Sequence, residues 1–528
     1  MPCVFTIRSE EVLRNVTPLL SKSMNSQRAI VIGAGIGGLT AAALLARRGY
    51  AVTVYDQAIV PGGCASTFKR KGFTFDVGAT QVAGLEPGGI HHRIFEELEI
   101  ELPAATPCDP ACAVVLPGET EPINVWRDPD AWKAERSRQF PGSEGFWNLL
   151  TTLFEASWEF QSRDPVLPPR SIWDLTQLLG AMRPNTLITA PFTFSTVGDA
   201  LKWFGLSNDR RLKTFLDMQL KLYAQVTTDE TALLYAATAM AMSQLPFGLW
   251  HLEGSMQVLS DRLVSAIKRD GGEIRMRHTV EAIHLTDGKA TAVTVSGLKK
   301  EATIETADHI VANVTVQDLV RLLGDQAPPG YRKRVDRLNP PSGAFVIYMG
   351  VRQSAIPKDC PPHLQFLYDQ NGPVGENNSL FVSVSKPGDG RAPDGMATIV
   401  ASSFVDAEPW WAVKEDSERY EELKQQYTDT AIARLATYFD LEDAIVYQEA
   451  GTPLTFWRYT AREKGYVGGV GMRVSTFGPF GFANRTPIAN LWLVGDSTHP
   501  GEGTAGVSYS ALTVVRQIEA QNNDFIIH

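Results

Sequence analysis

The sequence predicts an α/β fold in which one domain is assembled from three separate segments, with a mixed sheet and a helical cap inserted between them. A glycine-rich turn joins a strand-like run to a helix near residue 33. A second helix and strand follow Gly254, and a hydrophobic strand, a glycine loop and a helix begin at Leu491. A chain of 528 residues is long enough for two or three domains.

The first segment predicts a β-α-β unit. Residues 28–32 form a strand-like run, residues 37–48 a helix that Gly49 ends, and residues 51–55 a second strand. The turn between the first strand and the helix has the sequence GAGIGG, which places glycines at GxGxxG spacing at Gly33, Gly35 and Gly38.

This glycine spacing is typical of a Rossmann-like dinucleotide-binding turn. Gly33 permits the tight turn, Gly35 the close approach of a pyrophosphate, and Gly38 the packing of the helix on the strand. The phosphates then lie at the helix N-terminus, where free amide groups and the helix dipole stabilise negative charge. Asp56 ends the second strand, where its carboxylate can accept hydrogen bonds from ribose hydroxyls. We therefore expect a dinucleotide at this turn.

The residues after Asp56 favour FAD over a nicotinamide cofactor. The sequence VPGGCASTFKRKG places Gly62 and Gly63 where backbone can run alongside the ribityl and flavin portions of FAD. In the same stretch Arg70 or Lys69 can neutralise a phosphate. A second nucleotide fingerprint would be expected if the protein also bound NADPH, and its one candidate, VGGVGMR at 467–473, is followed by a loop rather than a helix.

The last segment supplies the other end of the predicted cofactor site. Gly495 and Asp496 follow a buried strand, and the Asp496 carboxylate can bind the ribityl chain. Gly506 and neighbouring amides can stabilise negative charge on a reduced flavin. No cysteine or histidine can be assigned to a flavin linkage, so the predicted FAD is bound non-covalently. Val280 and Val507 complete the predicted cofactor-binding residues.

The stretches between these segments predict two insertions. The first is helical and rich in aromatic residues, and the second has strand-like runs at 343–351, 379–385 and 396–404. The stretch 231–252 lacks Lys, Arg, Asp and Glu, but Pro246 and Gly248 interrupt it, so it predicts a buried helix and a turn rather than a membrane span. The predicted organisation is a disordered leader at 1–27, an FAD-binding domain at 28–100, 250–320 and 485–528, a helical cap that contacts substrate and membrane at 101–249, and a substrate-domain sheet at 321–484.

Composition excludes several classes of function. The net charge of −10 and the absence of any Lys/Arg-rich run argue against a nucleic-acid partner. Five scattered cysteines suggest reduced thiols in a cytosolic compartment. Cys108 and Cys112 have no second Cys or His pair at ligand spacing, and the adjacent His91 and His92 cannot face one ion on a helix, so no metal site is predicted.

The motifs together resemble the FAD-dependent carotenoid desaturase and isomerase family, the bacterial-type phytoene desaturases and their relatives. The resemblance is carried by VIGAGIGGLTAAALLARRGY, PGGCASTFKRKGFTFDVGAT, LEGSMQVLSDRL and NLWLVGDSTHPGEGTAGV, and it covers nearly the whole chain after the leader. The details of GGCASTFKRKGFTFDVGATQVAGLEPGGIHHRIF look most like the cyanobacterial-type C-3',4' desaturases of monocyclic carotenoids such as γ-carotene. The glycine loop departs from the common family form at Glu502 and at Thr504-Ala505, which fits a different regiospecificity.

This resemblance implies an oxidoreductase that acts on CH–CH groups of a carotenoid. Such a substrate offers no charge, so its affinity must come from burial. It resides in membranes, so we expect a peripherally membrane-associated, monotopic protein in the cytoplasm, with quinone or oxygen as electron acceptor. The segment 182–222 has a local excess of basic residues and an apolar helical face, and it predicts a bilayer-docking region. Eight aromatic residues of the first insertion are candidates for lining the polyene: Phe192, Phe194, Trp203, Phe204, Phe215, Tyr223, Phe247 and Trp250.

Desaturation by hydride transfer also releases a proton. Glu502 and His499 in the last glycine loop are the candidate bases, with Asp76 and Gln81 as weaker candidates. Three other functions stay open from the sequence: a cis-trans isomerase or saturase of the same family, a flavin-dependent amine oxidase, and a prenyl-binding escort of the GDP-dissociation-inhibitor type.

Overall fold

Strands and helices alternate along the residues that the computed structural model describes, 26–298 and 301–524. Of the predicted leader, 1–27, only the last two residues fall within these ranges. The strands are β1 (Arg28–Ile32), β2 (Ala51–Asp56), β3 (Thr67–Arg70), β4 (Phe73–Asp76), β5 (Ala105–Pro107), β6 (Cys112–Val115), β7 (Ile123–Val125), β8 (Trp250–Leu252), β9 (Glu273–Met276), β10 (Thr279–Thr286), β11 (Lys289–Ser296), β12 (Ala302–Thr306), β13 (His309–Ala312), β14 (Gly343–Arg352), β15 (His363–Leu367), β16 (Ser379–Val384), β17 (Met396–Val405), β18 (Ile445–Gly451) and β19 (Leu491–Leu493). The helices are α1 (Ile36–Arg47), α2 (Ile90–Glu97), α3 (Pro129–Gln139), α4 (Glu144–Gln161), α5 (Ile172–Ala181), α6 (Val197–Trp203), α7 (Arg210–Ala224), α8 (Leu233–Ala241), α9 (Gln257–Arg269), α10 (Val316–Leu323), α11 (Pro329–Val335), α12 (Glu408–Ala412), α13 (Ser417–Leu435), α14 (Pro453–Thr460) and α15 (Thr504–Asp524).

A five-stranded parallel sheet is assembled from distant parts of the chain. Its strand order is β19-β13-β1-β2-β9, and every neighbouring pair is parallel. Four of the five residues of β1 are buried, as expected for a parallel strand that is covered on both faces. The α/β fold class is confirmed, and its Rossmann-like sheet uses the three segments that the sequence singled out.

Helix α1 orients the glycine-rich turn. Eleven of its twelve residues are buried, because it packs between the sheet and helices α9 and α15. Gly35 is its N-cap and has no side chain to cap the first turn, so the first amide groups of α1 stay available to a ligand. Gly49, at φ +85°, follows the C-cap of α1 and turns the chain toward β2.

The second, seven-stranded sheet has the order β18-β14-β17-β16-β15-β6-β7. Strands β14, β16 and β17 lie where the sequence predicts strands. However, β6 and β7 also belong to this sheet, although they fall in residues 101–249, for which the sequence predicts a helical cap. These strands have only four and three residues, which is too short for a clear alternating pattern in the sequence. Strand β6 also pairs in parallel with the distant β15, so its place in the sheet could not be predicted from its own residues. The domain boundaries themselves stay a prediction.

The predicted docking region is wrong as far as α7 is concerned. The apolar side chains of α7 lie in the protein core, where Phe215 contacts Trp132 and Phe140. Two of its four basic residues are in ion pairs: Arg211 binds Glu119 at 2.7 Å, and Lys213 lies 3.0 Å from Asp229. The helix is amphipathic because its apolar stripe faces its own core. The fully buried residues of α7 are Leu212, Phe215, Leu216, Leu220 and Ala224.

The stretch 231–252 forms α8, a turn and β8, as predicted. None of the helices in residues 26–298 and 301–524 combines the length and the apolar composition that crossing a bilayer requires.

Candidate active site

A cavity of about 1540 Å³ opens at the carboxyl ends of the parallel strands. Pockets for drug-sized ligands measure roughly 300 to 1,000 Å³, so this cavity has room for a dinucleotide and a second molecule. Its wall is mostly apolar and draws on both sheets and on the cap helices. Representative lining residues are Gly35, Gly63, Tyr235, Val346, Asp496 and Thr504.

The glycine-rich turn forms one end of the cavity. Gly33 has φ +95°, and a Cβ there would lie 2.7 Å from the carbonyl oxygen of Asn313. A Cβ on Gly38 would overlap the carbonyl oxygen of Gly33, so this glycine serves helix packing and does not itself line the cavity. Gly35 does line it, at the N-terminus of α1. The three glycines thus lie as a pyrophosphate-binding turn requires.

Asp56 lies beside this turn and faces the cavity. Its two carboxylate oxygens accept hydrogen bonds from the backbone amides of Ala34 and Ala58, each at 2.7 Å. Burial raises the pKa of Asp56, although these two bonds oppose the rise. Each oxygen keeps a second lone pair, so the carboxylate can still accept hydrogen bonds from ribose hydroxyls.

The loop that contains Gly62 and Gly63 packs directly on the glycine-rich turn. The amide of Gly62 donates to the carbonyl of Ala34 at 2.8 Å, and a Cβ on Gly63 would lie 3.3 Å from the Cα of Gly35. Cys64 follows and also lines the cavity. Burial raises the pKa of the Cys64 thiol, so the thiol stays protonated at neutral pH.

The loop after β19 also borders the cavity, beside the glycine-rich turn. Gly495 has φ +123°, and the residues from Gly503 into the first turn of α15 line the cavity, so a second helix N-terminus faces it. A Cβ on Gly506 would lie 2.5 Å from the carbonyl oxygen of Gly501, which excludes a side chain there. Val280 and Val507 line the same cavity.

Asp496 is held by a buried arginine that the sequence analysis missed. The Arg462 guanidinium lies 2.8 Å from the Asp496 carboxylate and donates to the carbonyl of Tyr466 at 2.7 Å. Burial acts to lower the pKa of Arg462, but the charge of Asp496 and the hydrogen bond to it, together with smaller contributions from neighbouring acidic groups, raise the pKa overall. Arg462 therefore stays cationic inside the cavity wall.

Arg70 is not at the cavity, which corrects its predicted role at a phosphate. Its side chain is exposed, lies 3.8 Å from Glu449 and covers the ring of Phe68. Strand β3 alternates between inward and outward positions, and Arg70 together with Lys69 lies at its exposed end. The remaining predicted cofactor residues other than Gly38 all line the cavity.

Glu502 projects into the middle of the cavity wall. Its Oε2 accepts a hydrogen bond from Gln225 Nε2 at 3.0 Å, and its Oε1 has no hydrogen-bond partner among the described residues. Burial, reinforced by the charge of Asp496, raises the pKa of Glu502 to about 8, while Arg462 and Lys221 oppose the rise. Glu502 is thus a carboxyl group that can exchange a proton near neutral pH.

His499 lies in the same loop and also lines the cavity. Its Nε2 is 2.9 Å from Gln161 Oε1, and burial lowers its pKa to about 4. It is neutral at physiological pH and a weaker base than Glu502. The other two candidate bases are engaged elsewhere. Asp76 does not line the cavity, and its carboxylate lies 3.0 Å from the Arg391 guanidinium. The Gln81 side chain donates to the carbonyl of Ala111 at 2.8 Å.

Comparisons with known proteins agree with the fold. Residues 31–98 match the family model described as an NAD(P)-binding Rossmann-like domain. The chain is 29% identical over 508 residues to prolycopene isomerase 2, chloroplastic, of an Oncidium hybrid cultivar, covering 93% of this chain and 84% of that protein. It is 28% identical over 538 residues to the neurosporene-forming phytoene desaturase of Rhodobacter capsulatus, covering 93% and 94%. Cyclohexylamine oxidase from Brevibacterium oxydans shares the fold, with a TM-score of 0.58 at 18% identity over 94% of this chain and 100% of that one.

The chain is a flavin-dependent oxidoreductase. The residues present fit such a cofactor, because the glycine positions leave no space for a Cβ, two helix N-termini face the cavity, and Asp56 stands beside the turn. Asn313, which follows β13, was also missed by the sequence analysis. Its side chain and carbonyl pack on the glycines of the turn, so it shapes the flavoenzyme's phosphate end.

Of the eight aromatic residues predicted to line the polyene, one lines the cavity. Tyr223 lines the cavity, whereas the others lie in the core or at the surface. The aromatic side chains that do line the cavity come from parts of the chain that no local pattern links, including Trp158, Tyr235, Phe381 and Phe477. Within residues 26–298 and 301–524 no group of three or more His, Cys, Asp or Glu could hold a metal ion.

Arg70→Ala is expected to change FAD affinity by less than about twofold, because an exposed arginine outside the cavity contributes little to binding. Titration of the apoprotein with FAD, followed by quenching of flavin fluorescence, measures this. If the variant bound FAD ten times more weakly than wild type, Arg70 would contact a phosphate of the cofactor, as the sequence predicted, and its exposed position on β3 would be contradicted.

Proposed function

We propose that the protein is an FAD-dependent carotenoid desaturase that introduces a double bond at the C-3',4' position of a monocyclic carotenoid such as γ-carotene. The observation that carries the proposal is the cavity, which joins a dinucleotide cradle to a large apolar space. The resemblance of the glycine motifs to carotenoid desaturases supports the substrate class. The similarity to a phytoene desaturase over 93% of the chain extends this support beyond the motifs.

The cavity wall suits a long hydrocarbon. Burial of a polyene contributes roughly 0.8 kcal/mol for each CH₂ removed from water, so a mostly apolar wall is enough to bind it. Tyr235 and Phe477 meet edge to face at 5.4 Å in this wall and offer aromatic surface to a flat chain. Glu502 is mostly protonated at neutral pH and offers no charge to an ammonium group, which disfavours an amine substrate.

The chain's own residues suit the proton half of the reaction. Bound FAD would supply a two-electron acceptor for hydride. The second hydrogen leaves the CH–CH unit as a proton, and we assign its uptake to Oε1 of Glu502, while Gln225 orients the carboxylate through Oε2. The apolar wall excludes water from the reacting carbons, and Glu502 is the stronger of the two bases that the loop brings to the cavity.

A redox-neutral cis-trans isomerase is the second candidate. The similarity to prolycopene isomerase over 93% of the chain favours it, and the same cavity would accept the same polyene. A saturase of the same family would use the same site in the opposite redox direction. The three reactions differ in the mass of the product, so one measurement separates them.

The cofactor linkage, the electron acceptor and the cellular location complete the proposed function. We propose non-covalent FAD, since the Cys64 thiol in the cavity is held protonated and is a poor nucleophile. Quinone or oxygen reoxidises the cofactor, and the protein acts in the cytoplasm at a membrane surface. The FAD-binding domain comprises 28–100, 250–320 and 485–528, with the substrate domain and cap in the other segments.

The test is to incubate the purified protein with FAD and liposomes that contain γ-carotene or lycopene, then to record the spectrum and mass of the extracted pigment. A red-shifted product two hydrogens lighter supports the desaturase. An unchanged mass with an altered isomer pattern supports the isomerase, and a mass gain of two hydrogens the saturase. Unchanged pigment from protein that is yellow with bound FAD overturns the carotenoid proposal, and colourless protein supports the prenyl-binding escort.

A further inference from the structure

Helix α5 has its apolar face turned outward. Ile172 is 84% exposed and Leu179 58%, and with Leu175 they stand at positions i, i+3 and i+7 on one side of the helix. A surface helix of a soluble protein normally exposes its polar side and buries the apolar one. In α5 the buried residues on the opposite side are Asp174 and Ala181, so one of the two is a carboxylate.

The exposed apolar surface continues beyond α5. Phe194 is 72% exposed. The centroid of its ring lies 5.5 Å from the ring centroid of Phe480, which is also exposed. We call the whole surface the docking face. It consists of Ile172, Leu175, Leu179, Met182, Leu187, Ile188 and Phe194.

The solvent-exposed charged side chains between residues 170 and 194 are all positive. Between residues 170 and 194 the charged residues are Arg170, Asp174 and Arg183. Asp174 is 0% exposed and is bound by Gln517 Nε2 at 3.0 Å and by Arg485 at 3.4 Å. Arg170 and Arg183 are exposed, and neither forms an ion pair with any described residue. In a chain with net charge −10, this local excess complements an anionic surface.

The docking face reaches the cavity at two residues. Met182 and Leu187 are exposed to solvent and also line the cavity. Leu178, on the inner side of α5, lines it as well. The apolar outer surface and the apolar cavity wall are therefore continuous through this segment.

We propose that the docking face inserts into the interfacial layer of an anionic lipid bilayer. Apolar side chains enter the acyl boundary while Arg170 and Arg183 contact headgroup phosphates, as in an amphipathic helix that lies in the membrane plane. An apolar substrate then passes from the bilayer into the cavity at Met182 and Leu187. The passage of substrate rests on the proposed function, but the docking does not.

The test measures sedimentation of the full-length holoprotein with vesicles of phosphatidylcholine alone or mixed with phosphatidylglycerol, without carotenoid. The variant Leu175→Glu/Leu179→Glu is expected to lose at least tenfold in binding to the anionic vesicles. The matched control is Ile304→Glu/Val446→Glu, which changes two exposed apolar residues outside the docking face and should stay within twofold of wild type. Arg170→Gln/Arg183→Gln is expected to remove the preference for anionic vesicles.

Two further measurements separate docking from catalysis and from folding. All four side chains replaced by glutamate are exposed, so the melting temperature and the bound flavin spectrum should not change. Turnover of detergent-dispersed carotenoid by Leu175→Glu/Leu179→Glu should equal that of wild type, and turnover from vesicles should fall. Equal vesicle binding by wild type and this variant overturns the docking proposal. A wild-type dimer that the variant abolishes, without vesicle binding, would assign the face to a second copy of the chain.

Discussion

Gly38→Ala is expected to weaken FAD binding by about a hundredfold. A Cβ at this position would overlap the carbonyl oxygen of Gly33 and would lie 3.1 Å from the Cβ of Asn313. The turn cannot shift freely to make room, because the amide of Gly33 is fixed by a 2.8 Å bond to the carbonyl of Tyr55. Overpacking of this kind costs about 3 kcal/mol, and each 1.4 kcal/mol corresponds to a factor of about ten in affinity.

Fluorescence titration of the apoprotein with FAD measures this loss, and the melting temperature should fall as well. Gly330→Ala is the matched control, since Gly330 lies in α11 and a Cβ there would meet no neighbouring atom within 4 Å. That exchange should leave FAD affinity unchanged. If Gly38→Ala bound FAD within threefold of wild type, α1 would not be held as tightly on the turn as the structure indicates.

The sequence could predict this turn because its determinants are local. Three glycines, a strand before them and Asp56 at the end of the next strand lie within 30 residues, and each has a steric or hydrogen-bonding role that its spacing reveals. Asn313 and Arg462 complete the same site from distant positions. Nothing in their own surroundings marks them, since each acquires its role only when the sheets assemble.

Charge and amphipathicity were less reliable guides than glycine spacing. Arg70 follows the cofactor loop closely, but the alternation of β3 turns it to solvent. Helix α7 has the amphipathic pattern of a docking helix, yet its apolar stripe is covered by the core. A periodic apolar stripe shows which side of a helix avoids water, not whether protein or lipid covers that side.

Glu502→Gln is expected to lower turnover by about tenfold or more and to change its pH dependence. The pKa of Glu502 is raised to about 8, so the carboxylate that accepts a proton is the minor form below pH 8 and the major form above it. Turnover by wild type should therefore rise as pH increases toward 8 and level off beyond it. Glutamine keeps the shape of the side chain and its contact with Gln225 but cannot take up a proton, so the variant should show no such rise.

The measurement is the pH profile of kcat for both proteins, with FAD content verified by absorbance at each pH. Glu463→Gln is the control, because Glu463 also lines the cavity and has a pKa raised by burial, but it lies outside the glycine loop that carries Glu502. The Glu463→Gln variant should have a kcat within twofold of wild type, and its turnover should still rise toward pH 8 and level off beyond it. Near-normal turnover in Glu502→Gln with an unchanged profile would exclude Glu502 as the base. His499 would then be the remaining candidate, and its pKa of about 4 predicts a profile already flat at neutral pH, because the imidazole is neutral there.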